Sequence, residues 1–179
     1  MIRLLCFVSV LALAACATVE LEDQGPTPGD AAVRTRAATA FERLKALEGE
    51  WVTVEEEGHE PAGAVMSYRV TSGGSAVLET LFEGTDHEMV TLYYVDGDEL
   101  VLTHYCVVGN QPHMRLAADS DLDALAFECV GGGNLVTHDE QHMHRGDLSL
   151  QGEDRMKSAW TMYEEGRPTG AKRFSLVRR

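Results

Sequence analysis

Turn-forming residues interrupt this chain at short, even intervals from Trp51 to its end, and that spacing leaves no room for long helices. Glu57-Gly58, Ser72-Gly73-Gly74, Glu83-Gly84, Asp96-Gly97-Asp98, Gly131-Gly132-Gly133 and Glu165-Gly166 punctuate segments of strand length. Evenly spaced strands joined by hairpin turns point to an all-β barrel or sandwich. The pattern predicts about ten strands, near 50–56, 63–71, 75–83, 88–95, 99–108, 112–118, 123–130, 141–151, 156–163 and 170–178. Tight links make sequence neighbours pair antiparallel, up and down. Ahead of them, Phe41, Leu44 and Leu47 recur at helical spacing among Ala37, Ala38 and Ala40, and Gly49 ends the run. The expected fold is therefore an antiparallel up-and-down barrel of about ten strands, with a short helix over Thr39–Leu47 plugging its base.

The N-terminus carries a different signal. Met1-Ile2-Arg3 leads an apolar run from Leu4 to Leu13, which ends in Leu13-Ala14-Ala15-Cys16. A cationic start, a short apolar stretch and small residues define a secretory signal, and the run is too short for a membrane span. With cysteine following the small pair, the segment resembles the lipobox of bacterial lipoproteins. That resemblance implies cleavage after residue 15, acylation of Cys16 and anchoring to a membrane by several acyl chains. Ala17 at the next position, by resemblance to the sorting rule of such lipoproteins, implies the outer membrane and a barrel facing the periplasm. The expected organisation is a signal peptide over 1–15, a flexible tether over 16–35 containing Gln24-Gly25-Pro26-Thr27-Pro28-Gly29-Asp30, and a barrel domain over 36–179.

Charge narrows the partners. The formal net charge is −14, and loss of Arg3 with the signal makes it −14 − 1 = −15. So acidic a surface repels nucleic acid and anionic lipid, which leaves a small-molecule ligand and the lipid anchor as expected contacts. Cys106 and Cys129 remain in a compartment that permits disulfides. The strand expected near 112–118 lies between them and separates their Cα atoms by ~9–10 Å, beyond the ~7 Å reach of a disulfide. They are expected to be free.

Leu47-Glu48-Gly49-Glu50-Trp51 is similar to the opening of calycin-type barrels: lipocalins, fatty-acid-binding proteins and nitrobindin-like haem barrels. Thr103-His104-Tyr105-Cys106 with Gly109-Asn110-Gln111-Pro112, and Trp160 ahead of Glu165-Gly166, resemble bacterial calycin-like proteins over most of residues 40–179. The resemblance implies the fold, with the tryptophan packed across the barrel's end.

Side chains alternate faces along a strand. Over 99–108 the set Leu100, Leu102, His104 faces inward; over 141–151 the set His142, His144, Leu148, Leu150 does, because Arg145, Asp147 and Gln151 belong in water. His104, His142 and His144 are thus expected to share one interior space with Tyr94, Leu102 and Glu79. Two histidines two residues apart on a strand plus a third elsewhere suit zinc. One histidine in an apolar pocket suits haem. The same rings also suit plain hydrogen bonding to Tyr94 or Glu79. His138 lies nearby in sequence. No Gly-x-Ser-x-Gly elbow or phosphate-binding loop is present in the sequence. The expected function is binding of a small, partly apolar ligand; the alternatives are a His-metal protein or enzyme in the same barrel, and a structural lipoprotein whose interior is filled.

Overall fold

The computed structural model describes residues 28–179, so the signal segment, Cys16 and the first part of the tether lie outside the described residues. Helix α1 (Pro28–Lys45) begins within the stretch read as tether, earlier than the Thr39 start that its apolar spacing predicts. Its buried face is Ala37, Ala40, Phe41 and Leu44, an i, i+3, i+4, i+7 stripe that rests against the barrel.

Ten strands follow: β1 (Gly49–Thr53), β2 (Val65–Thr71), β3 (Ala76–Leu81), β4 (Met89–Asp96), β5 (Glu99–Tyr105), β6 (Gln111–Leu116), β7 (Ala124–Gly133), β8 (His142–Leu150), β9 (Arg155–Glu164) and β10 (Arg167–Arg178). Each pairs antiparallel with its sequence neighbours, and β10 returns to β1 through Trp51↔Arg178, closing the barrel. Closure gives every strand two neighbours, which is why a meander of short strands is stable without a second sheet. The architecture is the one the turn spacing predicts and is compatible with a calycin-like fold. Cys106 and Cys129 are both free, with β6 between their strands as expected.

The end covered by α1 is sealed around Trp51, which is fully buried. Its indole Nε1–H donates to the Leu47 carbonyl at 2.8 Å, and the Arg178 guanidinium lies 4.5 Å over its ring. Arg178 also donates to the carbonyls of Ala46 and Glu48, at 2.9 and 2.7 Å. Carbonyls at a helix end have no partner of their own, so this one side chain ties the last strand to the end of α1. Gly49, at φ +132, sits where a Cβ would come within 3.2 Å of that guanidinium. The same buried core includes Leu44 of α1 and Leu81, Leu100, Met156 and Phe174 of the wall, with Tyr93 edge-on to Phe127 at 5.6 Å.

Candidate functional site

Four strands contribute one polar residue each to a single row around the inner wall. Tyr68 on β2 is the register partner of Glu79 on β3, Glu79 of Thr91 on β4, and Thr91 of His104 on β5. All four are buried. The Glu79 carboxylate accepts from the Tyr68 hydroxyl at 2.6 Å and from the Tyr93 hydroxyl at 2.8 Å, and Thr91 Oγ1 meets His104 Nδ1 at 2.9 Å. Burial pushes the Glu79 carboxyl above its ordinary range, against the opposing pull of hydrogen bonds from Tyr68, Tyr93 and Thr91. The two phenols are pushed far up, by burial first and by the adjacent carboxylate second. His104 is pushed down to about 4 by burial, so it is neutral at physiological pH.

On β4 the tyrosine that reaches this row is Tyr93. Tyr94, expected in the interior, lies half-buried on the other face of β4. Leu102 is buried as expected, and its register partner is Tyr93.

A cavity of about 700 Å³ opens at the barrel end opposite α1. Phe82, Met89, Cys106, Met143, Trp160 and Met162 form its apolar lining, and Glu60, His87, Thr169 and Lys172 stand towards its mouth. The polar row lies one layer beneath: Thr91 is two residues along β4 from Met89, and His104 two residues from Cys106. Trp160 forms the floor and stacks on His104, with ring centroids 4.5 Å apart. Its indole fits because Gly146, its partner on β8, has no side chain; a Cβ there would meet the ring at 3.1 Å. His104, Tyr94, Leu102, Glu79, His142 and His144 are all absent from the lining. Leu102, Glu79 and His104 instead support the cavity from below.

The predicted grouping of His104 with His142 and His144 is not assembled, and a β-bulge is the reason. In the β8–β9 ladder Met143 pairs with Met162 and Arg145 with Thr161, so His144 is an extra residue. One inserted residue resets the alternation of faces. Met143, which simple alternation puts on the water-facing side with Arg145 and Asp147, lines the cavity, and His144 stacks on Tyr163 at 4.1 Å, beside Met162 but on the other face of β9. His142 and His144 come together instead with His138 and Cys129; one ligand atom from each of the four lies within 4.8 Å of the others. His142 Nε2 is 3.0 Å from His144 Nδ1, and His142 Nδ1 is 2.6 Å from the Glu140 carbonyl. Burial, then the neighbouring His142 and His138, hold the His144 imidazole below its ordinary value. Cys129, seen in the sequence only as a half of a possible disulfide, could have been found by asking which strand ends flank the His138–His144 segment.

Haem needs an imidazole nitrogen presented into an apolar pocket. His104 Nε2 is buried outside the lining with Trp160 over the ring, and His87 is an exposed turn residue. His104 therefore presents no nitrogen to a haem in this cavity. No protein-family model and no curated protein matches the chain.

Proposed function

We propose that this protein is an envelope lipoprotein, anchored through Cys16, whose barrel holds one small, partly apolar molecule. The observation that carries the reading is the cavity of about 700 Å³ at the open end, walled by Phe82, Met89, Met143, Trp160 and Met162. Its size is that of small-molecule sites, and it argues against an interior filled by the protein's own side chains. Three methionines supply flexible, polarizable walls that adapt to an apolar chain. Burying one methylene contributes about 0.8 kcal/mol, so a medium-length acyl chain has ample driving force to offset its lost freedom. At the mouth Lys172 and Glu60 form an ion pair at 3.0 Å, with the lysine side chain 62% exposed. A pair this exposed contributes little stability, so a polar head group can replace either partner at small cost.

The test uses the mature chain with Cys16→Ser, titrated with a fluorescent fatty-acid analogue. Saturable one-to-one binding is expected, and Met162→Arg, which sets a charge in the lining, should weaken it by about tenfold or more. Absence of saturable binding, or equal affinity in the variant, would overturn the reading. Anchoring is tested separately: the Cys16→Ser precursor should stay uncut or become soluble, and normal processing with membrane fractionation would overturn it.

A further inference from the structure

The wall of the barrel is split at its open end. The β7–β8 ladder runs from Ala124↔Ser149 to Glu128↔Arg145 and stops there. Beyond it β7 continues to Gly133 paired with β6, and β8 begins at His142 paired with β9. Residues 134–141 bridge the split as a loop. Cys129 stands on one side of this seam, His142 and His144 on the other, and His138 in the loop above them. We propose that Cys129, His138, His142 and His144 form a tetrahedral zinc-class site that closes this seam.

Three arguments carry it. The first is geometry. A tetrahedral ion with bonds of about 2.0–2.3 Å holds its donors about 3.4–3.7 Å apart. The four donor atoms here already lie within 4.8 Å of one another, contributed by two strands and a loop. Shifts of about an ångström, easiest for the exposed His138, complete the shell.

The second is orientation. A carbonyl only accepts, so His142 Nδ1 donates its proton to Glu140, and Nε2 is the bare nitrogen. That nitrogen faces His144 Nδ1 at 3.0 Å instead of turning to solvent. A backbone carbonyl that fixes the tautomer and the plane of a ligating imidazole is the usual outer support of a metal site. Tyr163, stacked on His144, fixes the second ring.

The third is donor chemistry. Three imidazoles and a thiolate suit zinc and related borderline metals, whereas calcium and magnesium take oxygen. Cys129, His142 and His144 are shielded to differing degrees and His138 is exposed, so the metal enters from the loop side and His138 closes over it. Binding is balanced by release of the Cys129 thiol proton to solvent, with no change in oxidation state. Four protein donors leave no open coordination position, which makes the site structural: it fixes loop 134–141 to the wall beside the cavity mouth. This inference uses none of the residues that line the cavity and stands independently of what the cavity holds.

The experiment takes tag-free full-length protein, stripped with a chelator and titrated with cobalt(II), then zinc(II). One equivalent of cobalt is expected, with tetrahedral visible bands and a thiolate-to-cobalt charge-transfer band that zinc abolishes. Cys129→Ser should lose the charge-transfer band. His138→Ala, a change at an exposed loop residue, should weaken zinc binding by about tenfold or more with the circular dichroism spectrum unchanged. Zinc should also protect the loop 134–141 from proteolysis. Folded protein that takes up no stoichiometric cobalt, an octahedral spectrum without thiolate character, or wild-type affinity in both variants would each overturn the assignment.

Discussion

His104 lies nearly flat against Trp160, with ring centroids 4.5 Å apart and planes 28° from parallel, although β6, β7 and β8 separate their strands in the wall. The contact joins the floor of the cavity to the buried polar row. Thr91 holds the imidazole from one side, and Gly146 leaves room for the indole on the other. Changes in the row should therefore be felt in the cavity, and the reverse.

Acid should weaken the fold through His104. Burial lowers its folded pKa from 6.5 to about 4, so the unfolded chain takes up a proton at a pH where the folded one does not. The stability it confers is complete above pH 6.5 and is lost as pH falls towards 4. A shift of this size corresponds to about 3 kcal/mol. Glu79 titrates in the opposite sense and is common to both proteins, so it cancels in a comparison with His104→Gln. Urea midpoints measured from pH 7 to pH 4 should fall less steeply for His104→Gln than for wild type; parallel curves would show that His104 is not buried neutral.

Gly146→Ala should displace Trp160. The added Cβ would stand 3.1 Å from the indole ring, and overpacking of this kind costs about 1–3 kcal/mol. Tryptophan emission should shift and affinity for the apolar probe should fall. Gly170→Ala, at the cavity rim where an added Cβ would find nothing within 4 Å, is the control and should change neither.

Tyr68→Phe should destabilise by about 1–3 kcal/mol, because Glu79 Oε1 loses its 2.6 Å donor inside the barrel. Tyr93→Phe should do the same at Oε2. Replacing Glu79 by Leu in the double phenylalanine variant should recover stability, since a buried carboxylate stripped of both phenol donors is worse than an apolar side chain. Chemical denaturation of the series decides it, and a further loss on adding Glu79→Leu would contradict the row as described.

Trp51→Ala should cost about 3–5 kcal/mol, the range for truncating a packed aromatic. Arg178→Ala should cost less, and the two effects should be less than additive, because the guanidinium lies on the ring it helps to fix. A Trp51→Ala protein as stable as wild type would mean that the α1 end is not closed as seen.

Much of this molecule is written locally. The spacing of turns set the number of strands, and their short links set the antiparallel order, because chain connectivity leaves few other pairings. Alternation placed Leu100, Leu102 and His104 on the inner face, and Gly49 with Trp51 marked the closed end. The pairing of Leu102 with Tyr93 was also legible: counting outward from the two-residue turn Gly97-Asp98 selects Tyr93 over Tyr94. What the sequence alone did not determine is where alternation breaks. The bulge at His144 depends on how β8 seats against β9, and one inserted residue moved Met143 into the cavity and His142 and His144 away from His104. The meeting of Cys129 with three histidines depends on a ladder that stops at Glu128↔Arg145. The stacking of His104 on Trp160 depends on curvature that brings distant strands face to face. Short-range pattern fixes which residues form strands and which way most of them face; closure of the barrel, a non-local event, decides which side chains meet.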